Sequence, residues 1–167
     1  LAFKPGLRGA IFGATKATEA ECLSRGLFGL PSGRGAMVRT ISAERDRTVL
    51  FLFNFTTRSL RGIFMASGEA GFPLFERAWV PGAWSDKLGE LPSKRAAVGG
   101  SRTPYPAQLP IQRLGPELPP LPESVFGECV QYEGSTHKFS YTLDAAQVER
   151  LVTLFIEYAK RARPKAS

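Results

Sequence analysis

Residues 48–67 carry the apolar pattern of a β-hairpin. The stretch TVLFLFNF (48–55) is almost entirely apolar and rich in β-branched and aromatic side chains, as in a strand that is buried on both faces. The turn TTRS separates it from LRGIFMAS (60–67), a second strand-like stretch. The two stretches predict a hairpin, and the short apolar run GAIFGA (9–14) predicts a further buried strand.

The C-terminal region has the pattern of an amphipathic helix. Apolar side chains recur at helical spacing at Val148, Leu151, Val152, Phe155 and Ala159. Asp144 is placed to cap the helix, and Gln147, three residues later, can complete a capping box. We expect a helix over 145–160 that packs its apolar stripe on a sheet.

A shorter helix is indicated near the N terminus. Thr18 as N-cap and Glu21 three residues later have the spacing of a capping box. Gly26 is placed to end the helix in a left-handed turn after about Arg25. Because Pro31 cannot continue a helix, the residues LFGLP are expected to lead the chain away from it.

The middle of the chain contains many residues that interrupt regular structure. Residues 68–104 are rich in Gly, Pro, Ser, Lys and Arg and predict a long loop, with its basic part at about 80–104. The segment YPAQLPIQRL (105–114) alternates in character, and Pro106 and Pro110 confine it to the edge of a sheet or to the ends of strand pairing.

The elements together predict an α+β fold. A last strand is expected at 137–143, after the proline-rich connection 116–124. We predict a mixed or mostly antiparallel sheet that is curled into a small barrel and flanked by the two helices. At 167 residues the chain has the length of one domain, which we place at 8–160, with a basic tail at 161–167.

The charge of the chain favours a polyanionic partner. It carries 22 Lys and Arg against 15 Asp and Glu, a formal net charge of +7. The charges are scattered, so a solvated basic surface without a specific partner is the alternative. Two cysteines without zinc or disulfide spacing indicate a reducing compartment, the cytoplasm or the nucleus. No apolar run approaches membrane-spanning length, and we expect no membrane partner.

No arrangement of residues is typical of a catalytic site. His137 is the single histidine, which excludes metal sites built from several histidines. The phosphate-binding motifs GxGxxG and GxxxxGK[ST] do not occur, and GRGAM (33–37) predicts a solvent loop. We therefore expect no catalytic residue, no metal and no cofactor. The remaining enzyme alternative requires Cys22 or Cys129 to be a reactive thiolate.

Six blocks of the sequence resemble, in order, those of the DCD (Development and Cell Death) domain of plants and algae. They are GAIFGATKATEAECLSRGLFGLPSG (9–33), LFLFNF with LRGIF (50–55 and 60–64), AW (78–79), YPAQLPIQ (105–112), PLPESVF (120–126) and HKFSYTLDAAQVERLVTLF (137–155). The resemblance covers about residues 8–158. It implies a non-catalytic module in a protein of development, stress response or programmed cell death. The segment between Trp79 and Tyr105 is longer and more basic than the family pattern.

The order of elements also resembles the PUA-like folds, especially the YTH and EVE domains, which are small barrels that read modified bases. The resemblance implies a pocket formed by Phe28, in the turn after the first helix, and Trp79 or Trp84 in the long loop. Around it, basic residues can hold phosphates, and the rim we predict consists of Arg25, Arg34, Lys87, Lys94, Arg95 and Arg102. Asn54, a lone amide in an apolar strand, can read a base edge or tie down the hairpin turn. The three aromatic side chains can equally pack in the core or anchor the loop.

These features support two hypotheses for function. The first is the binding of single-stranded nucleic acid, RNA above all and including a modified base, because aromatic rings stack on bases. The second is a protein-interaction or homo-oligomerisation domain, in which 105–114 is an exposed edge that pairs with a partner strand.

Overall fold

The computed structural model describes residues 5–85, 89–90, 102–134, 136 and 138–162. They belong to two compact units. Unit 1 comprises Leu1–Gly13, Asp46–Met65 and Arg113–Ser167, and unit 2 comprises Ala14–Arg45 and Ala66–Gln112. The predicted site residues Lys87, Lys94 and Arg95, the single histidine His137 and most of the predicted basic tail lie outside the described residues.

Both helices and strands occur, so the predicted α+β class is confirmed. In chain order the elements are β1 (Arg8–Ala14), α1 (Lys16–Arg25), β2 (Leu27–Leu30), α2 (Gly35–Ala43), β3 (Thr48–Asn54), β4 (Ser59–Ala66), β5 (Trp84–Ser85), β6 (Gly89–Glu90), β7 (Ala107–Arg113), β8 (Leu121–Pro122), α3 (Glu123–Phe126), β9 (Thr142–Leu143) and α4 (Ala145–Ala162). Among the residues described, no helix combines the length and apolar character needed to cross a membrane.

The strands of unit 1 follow the order β8-β4-β3-β1-β9. The predicted hairpin is confirmed, because β3 and β4 pair antiparallel with Asn54 opposite Ser59. The pairs β4–β8 and β1–β9 are antiparallel as well. The order ends at β8 and β9 without closing on itself, so a barrel is not confirmed. The last strand is shorter than predicted, since β9 covers only Thr142–Leu143.

The core of unit 1 lies between its strands and α4. Phe51 of β3 stacks on Phe155 of α4, with ring centroids 5.8 Å apart and planes 11° apart. Gly62 permits this packing, because a Cβ there would lie 2.8 Å from Phe51 and 3.0 Å from Phe155. The buried side chains of α4 are Val148, Leu151, Leu154, Phe155 and Ala159. The predicted stripe is thus confirmed, except that Leu154 is buried and Val152 is only half-buried.

The predicted cap of α4 is also confirmed. Gln147 N donates to Asp144 Oδ1 at 2.8 Å, and Asp144 N donates to Gln147 Oε1 at 2.9 Å. Gln147 Nε2 also donates to the carbonyl of Cys129 at 3.0 Å. The capping box therefore both begins the helix and ties it to the preceding segment.

The start of α1, in unit 2, differs from the prediction. The N-cap is Thr15 rather than Thr18, because Thr15 N donates to Thr18 Oγ1 at 2.9 Å and Thr18 completes the capping box from inside the helix. Glu21 is therefore in the body of the helix, where its side chain is buried, and is not a capping residue. Gly26 ends the helix in the left-handed conformation, with φ of +63°, as predicted.

The sequence predicted a solvent loop for GRGAM (33–37), and this prediction is wrong. The segment contains the start of α2, which spans Gly35–Ala43 and buries Gly35, Val38, Ile41 and Ser42. Gly35, Val38 and Ile41 follow one another at intervals of three residues, and Ser42 lies four residues after Val38, so all four share one face of the helix. The prediction of a loop was wrong because the apolar periodicity after Gly35 outweighs the low helix propensity of the two glycines.

The strand β7 is not an exposed edge within unit 2. Its first side pairs antiparallel with β2, from Leu27 opposite Pro110 to Leu30 opposite Ala107. On its other side, Gln108 exchanges two backbone hydrogen bonds with Gly71, of 2.9 and 3.0 Å, and Ser67 N donates to the carbonyl of Pro110 at 2.9 Å. Pro110 is compatible with this position because only its carbonyl is used. The edge-pairing hypothesis thus loses the free edge on which it rested.

Candidate aromatic and basic site

Gln108 of β7 organises a loop of unit 2 from the inside. Its side chain is fully buried. Its Oε1 accepts hydrogen bonds from Leu74 N at 2.8 Å and Phe75 N at 2.7 Å, and its Nε2 donates to the carbonyl of Phe75 at 3.0 Å. A buried amide requires such partners. The backbone at Leu74 and Phe75 is therefore held in place without burial of the side chains of this loop.

Three aromatic rings project from the segments around Gln108. We call them the aromatic cluster; they are Phe72, Phe75 and Tyr105, with 42, 41 and 36% of their surface exposed. Thr103 joins their segments, since Thr103 N donates to the carbonyl of Glu76 at 2.7 Å and Thr103 Oγ1 accepts from Tyr105 N at 3.2 Å. Exposed rings on a fixed backbone are platforms for a planar ligand.

Two arginines lie against these rings. The guanidinium of Arg39 is 4.3 Å from the centroid of Phe72, and Arg39 is itself exposed. The guanidinium of Arg25 lies 5.1 Å from the Phe75 centroid and 4.6 Å from that of Trp84. Cation–π contacts of this length are favourable, so each arginine helps to orient an aromatic side chain.

Arg25 does not belong to a solvent-facing rim, contrary to the prediction. Its side chain is only 4% exposed, and its Nε donates to Glu21 Oε2 at 2.9 Å. A guanidinium removed from water needs a paired carboxylate and close neighbours, and here Glu21, Phe75 and Trp84 supply them. Arg25 therefore packs against the rings of Phe75 and Trp84 and helps to hold them in place.

Trp79 is an anchor of unit 2. It is buried, its backbone N–H donates to Glu21 Oε2 at 2.6 Å, and its ring meets Tyr105 edge-on at 5.7 Å. The ring also covers Gly29, where a Cβ would lie 2.5 Å from it. Of the two interpretations that the sequence left open, the structure places Trp79 as an anchor that supports Tyr105.

Phe28 and Asn54 occupy the structural positions that the sequence allowed for them. Phe28 lies in β2, opposite Leu109, and is fully buried. Asn54 is buried in unit 1, where its Oδ1 accepts from Thr56 N at 2.8 Å and Thr57 N at 3.0 Å and so fixes the hairpin turn. Neither side chain presents a surface to solvent, and a role for them in binding stays a prediction.

The other predicted residues are partly described. Trp84 is half-buried in β5 beneath Arg25, whereas Arg34 and Arg102 are exposed. A role in binding for any of these three stays a prediction, as it does for Lys87, Lys94 and Arg95.

The cysteines lack the properties of a reactive thiolate. Burial raises the pKa of the Cys22 thiol to about 12, with a smaller opposing effect of the Trp79 side chain. Burial also raises the pKa of the Cys129 thiol, as does the charge of Glu128. Since the thiolate is the nucleophile, both shifts argue against the enzyme alternative. Within the described part of the chain, no group of acidic, histidine or cysteine side chains is arranged to hold a metal ion.

The sequence interpretation missed Phe72, Phe75, Arg39 and Gln108. The rings occur in GFPLFER (71–77), a Gly- and Pro-containing stretch without the periodicity of a buried element. That combination was itself a signal, because apolar rings in a loop without a burial pattern have a higher chance of being exposed. Gln108 gave no such signal.

The sequence profile of the Development and cell death domain matches residues 8–155. The chain belongs to this family. Two curated relatives of this DCD domain are the DCD domain-containing protein NRP-B of Glycine max, 35% identical over 151 residues, and the B2 protein of Daucus carota, 31% identical over 150 residues. Each alignment covers 89% of the chain but only 39% and 62% of the relatives. The chain thus spans about two fifths of the length of NRP-B and three fifths of that of the B2 protein.

Solved structures of YTH domains share the fold. The Pho92 YTH domain in complex with m6A has a TM-score of 0.63 at 10% identity, covering 93% of this chain and 87% of that one. The YTH domain of the Zygosaccharomyces rouxii MRB1 protein, in complex with N6-methyladenosine RNA, has a TM-score of 0.61 at 7% identity, covering 93% and 90%. Identities this low establish a likeness of fold, and at that level the predicted YTH-like resemblance is confirmed.

Proposed function

We propose that this DCD domain is a non-catalytic module that binds single-stranded nucleic acid, preferentially RNA, with bases stacked on the aromatic cluster. The observation that carries the proposal is the exposure of Phe72, Phe75 and Tyr105 on segments fixed by the buried Gln108. Phe72 and Phe75 lie on one loop, and Thr103 ties that loop to the segment of Tyr105. In this proposal the three rings act together as one exposed apolar surface, the kind of surface that marks an interaction site.

Stacking and charge act together in this proposal. Each base stacked on an aromatic ring contributes ~1–3 kcal/mol, largely without regard to sequence. Arg39 beside Phe72, and the exposed Arg34 and Arg102, add positive charge in unit 2. Basic side chains of this kind contact phosphates and position the strand. The net charge of +7 supports a polyanionic partner for the chain as a whole.

The proposal places the base on exposed rings rather than in the pocket inferred from sequence. Phe28 and Trp79 are buried, so the stacking is proposed on the exposed rings of the aromatic cluster, Phe72, Phe75 and Tyr105. YTH domains of the same fold were solved with methylated adenosine, which supports a preference for a methylated base. We further propose that the module acts in proteins of development, stress response or cell death inside the cell.

The test is a titration of the protein into a fluorescent mixed-sequence RNA of about 15 nucleotides, followed by anisotropy at several salt concentrations. We expect a dissociation constant below ~10⁻⁴ M near physiological salt, with affinity that falls as salt rises. An RNA that differs only in one N6-methyladenosine should bind more tightly, and the DNA of the same sequence more weakly.

Replacement of single rings identifies the surface. Phe75→Ala and Tyr105→Ala should each raise the dissociation constant by about 5- to 150-fold, the equivalent of one lost stacking contact. Phe55→Ala is the matched control, because Phe55 is an equally exposed phenylalanine in unit 1. Equal losses for Phe55→Ala and Phe75→Ala, or no binding tighter than the weak limit, would refute the proposal.

A further inference from the structure

An apolar groove of about 670 Å³ runs along α4 in unit 1. One wall is formed by α4, and Leu114, Pro116 and Leu118 contribute to the other. Val49 and Ile63, from β3 and β4, also line the groove. The residues of α4 that line it extend from Val148 to Lys160, which is ~18 Å of helix. The groove is therefore long enough to accept about three turns of a second helix.

The α4 side of this groove is open to solvent. Ile156 lines the groove with 44% of its surface exposed, and Thr153 is also exposed. Glu149 lines the groove near its N-terminal end and Lys160 near its C-terminal end, and both are exposed. Among the described residues neither of these two charges has an ion-pair partner within the chain. The face of α4 that lines the groove thus has an apolar centre and opposite charges at its two ends.

We propose that this groove is occupied by α4 of a second copy of the chain, packed antiparallel about a twofold axis. In such a pair the two copies use the same surface. Glu149 lies four residues before Thr153, and Lys160 lies four residues after Ile156. A register that places Ile156 opposite Thr153 of the second copy therefore also places Glu149 opposite Lys160 of the second copy.

The charge pattern is what selects a second copy as the occupant. The twofold axis produces two equivalent Glu149–Lys160 pairs and inserts each Ile156 into the groove of the other copy. A parallel arrangement would instead bring like charges together, which is unfavourable. Because the groove-lining face of α4 is complementary to the same face of a second copy, that copy matches both its apolar centre and its charges. The surface lies in unit 1, so this inference does not depend on the proposed binding of RNA.

Sedimentation equilibrium of the whole chain tests the proposal. We expect a reversible monomer–dimer equilibrium whose dissociation constant lies between ~1 μM and ~1 mM, as for a weak dimer with a small interface. Glu149→Lys or Lys160→Glu alone should weaken dimerisation about tenfold or more, because each creates two like-charge pairs. An equimolar mixture of the two variants should dimerise better than either alone, since both pairs then regain opposite charges. Ile156→Asp should abolish the dimer.

Glu157→Lys is the matched control, because it makes the same charge change on α4 at a position that does not line the groove. Its dimerisation should remain like that of the unmodified chain, and far-ultraviolet circular dichroism should show that every variant keeps its helices. A monomer at all concentrations overturns the proposal. So does a dimer that the mixture of charge variants fails to restore. RNA binding should be unchanged by Ile156→Asp, so a failure here is separate from a failure of the proposed function.

Discussion

Trp79 shows how single residues fix the aromatic cluster. Its backbone φ of +59° lies in the left-handed region, which residues other than glycine seldom adopt. The conformation is held by the hydrogen bond from Trp79 N to Glu21 and by the packing of the ring on Gly29. Tyr105 then rests its ring edge-on against Trp79. The orientation of the exposed Tyr105 ring thus depends on the space that Gly29 leaves for Trp79.

Gly29→Ala is expected to lower the free energy of unfolding by ~1–3 kcal/mol, because the new Cβ would press into the Trp79 ring and overpacking of this kind is costly. Chemical denaturation followed by tryptophan fluorescence measures the change. Gly33→Ala is the control: a Cβ there has open space, and the change should stay within ~0.5 kcal/mol. Similar values for the two variants would contradict the packing that we describe.

At the scale of elements, local sequence was most informative where an element begins or ends. Residues only a few positions apart account for three features: the capping box of Asp144 and Gln147, the end of α1 at Gly26 and the β3–β4 hairpin. The prediction failed for α2 and for the N-cap of α1. In α2 the helical periodicity after Gly35 decides the structure rather than the two glycines, and at the start of α1 the Thr15–Thr18 pair forms the cap rather than Thr18 and Glu21.

The loop that carries Phe75 depends on one side chain of β7. Gln108→Leu keeps the approximate size but leaves Leu74 N and Phe75 N without their acceptor. We expect faster hydrogen exchange at these two amides and weaker RNA binding, with a free energy of unfolding lower by ~1–3 kcal/mol. Gln112→Leu, at an exposed position of the same strand, is the control. Unchanged exchange at Leu74 and Phe75 would show that the amide does not hold the loop.

At the scale of the whole molecule, the two units carry different surfaces. Unit 2 presents the aromatic cluster with Arg39, and unit 1 presents the groove along α4. The two proposals can therefore be separated by mutation, since Phe75→Ala should weaken RNA binding and leave dimerisation unchanged. Global stability is a third property of the chain, and buried ionisable groups make it depend on pH.

Stability should fall in alkaline solution. The pKa of the Cys22 thiol is raised by burial from 9.0 to about 12, so the unfolded chain loses this proton first as the pH rises. The contribution of the protonated Cys22 thiol to the free energy of unfolding is complete below about pH 9. It is lost between the two pKa values, by up to ~1.4 kcal/mol per pH unit. Urea unfolding at several pH values measures the slope. Cys22→Ala should make this slope smaller. The slope that remains comes from Tyr132, whose pKa is also raised by burial, to about 12. An unchanged slope in Cys22→Ala would contradict the assignment to Cys22.

The sequence by itself determined the family, the α+β class, the helix α4 with its cap and the hairpin of β3 and β4. These features depend on side chains that are close in the chain, or on an ordered set of blocks that can be read directly. Only the tertiary structure decided that Phe28, Trp79 and Arg25 are buried while Phe72, Phe75 and Tyr105 are exposed. The physical reason is that burial is set by contacts between distant positions, such as Gln108 with Phe75 and Gly29 with Trp79.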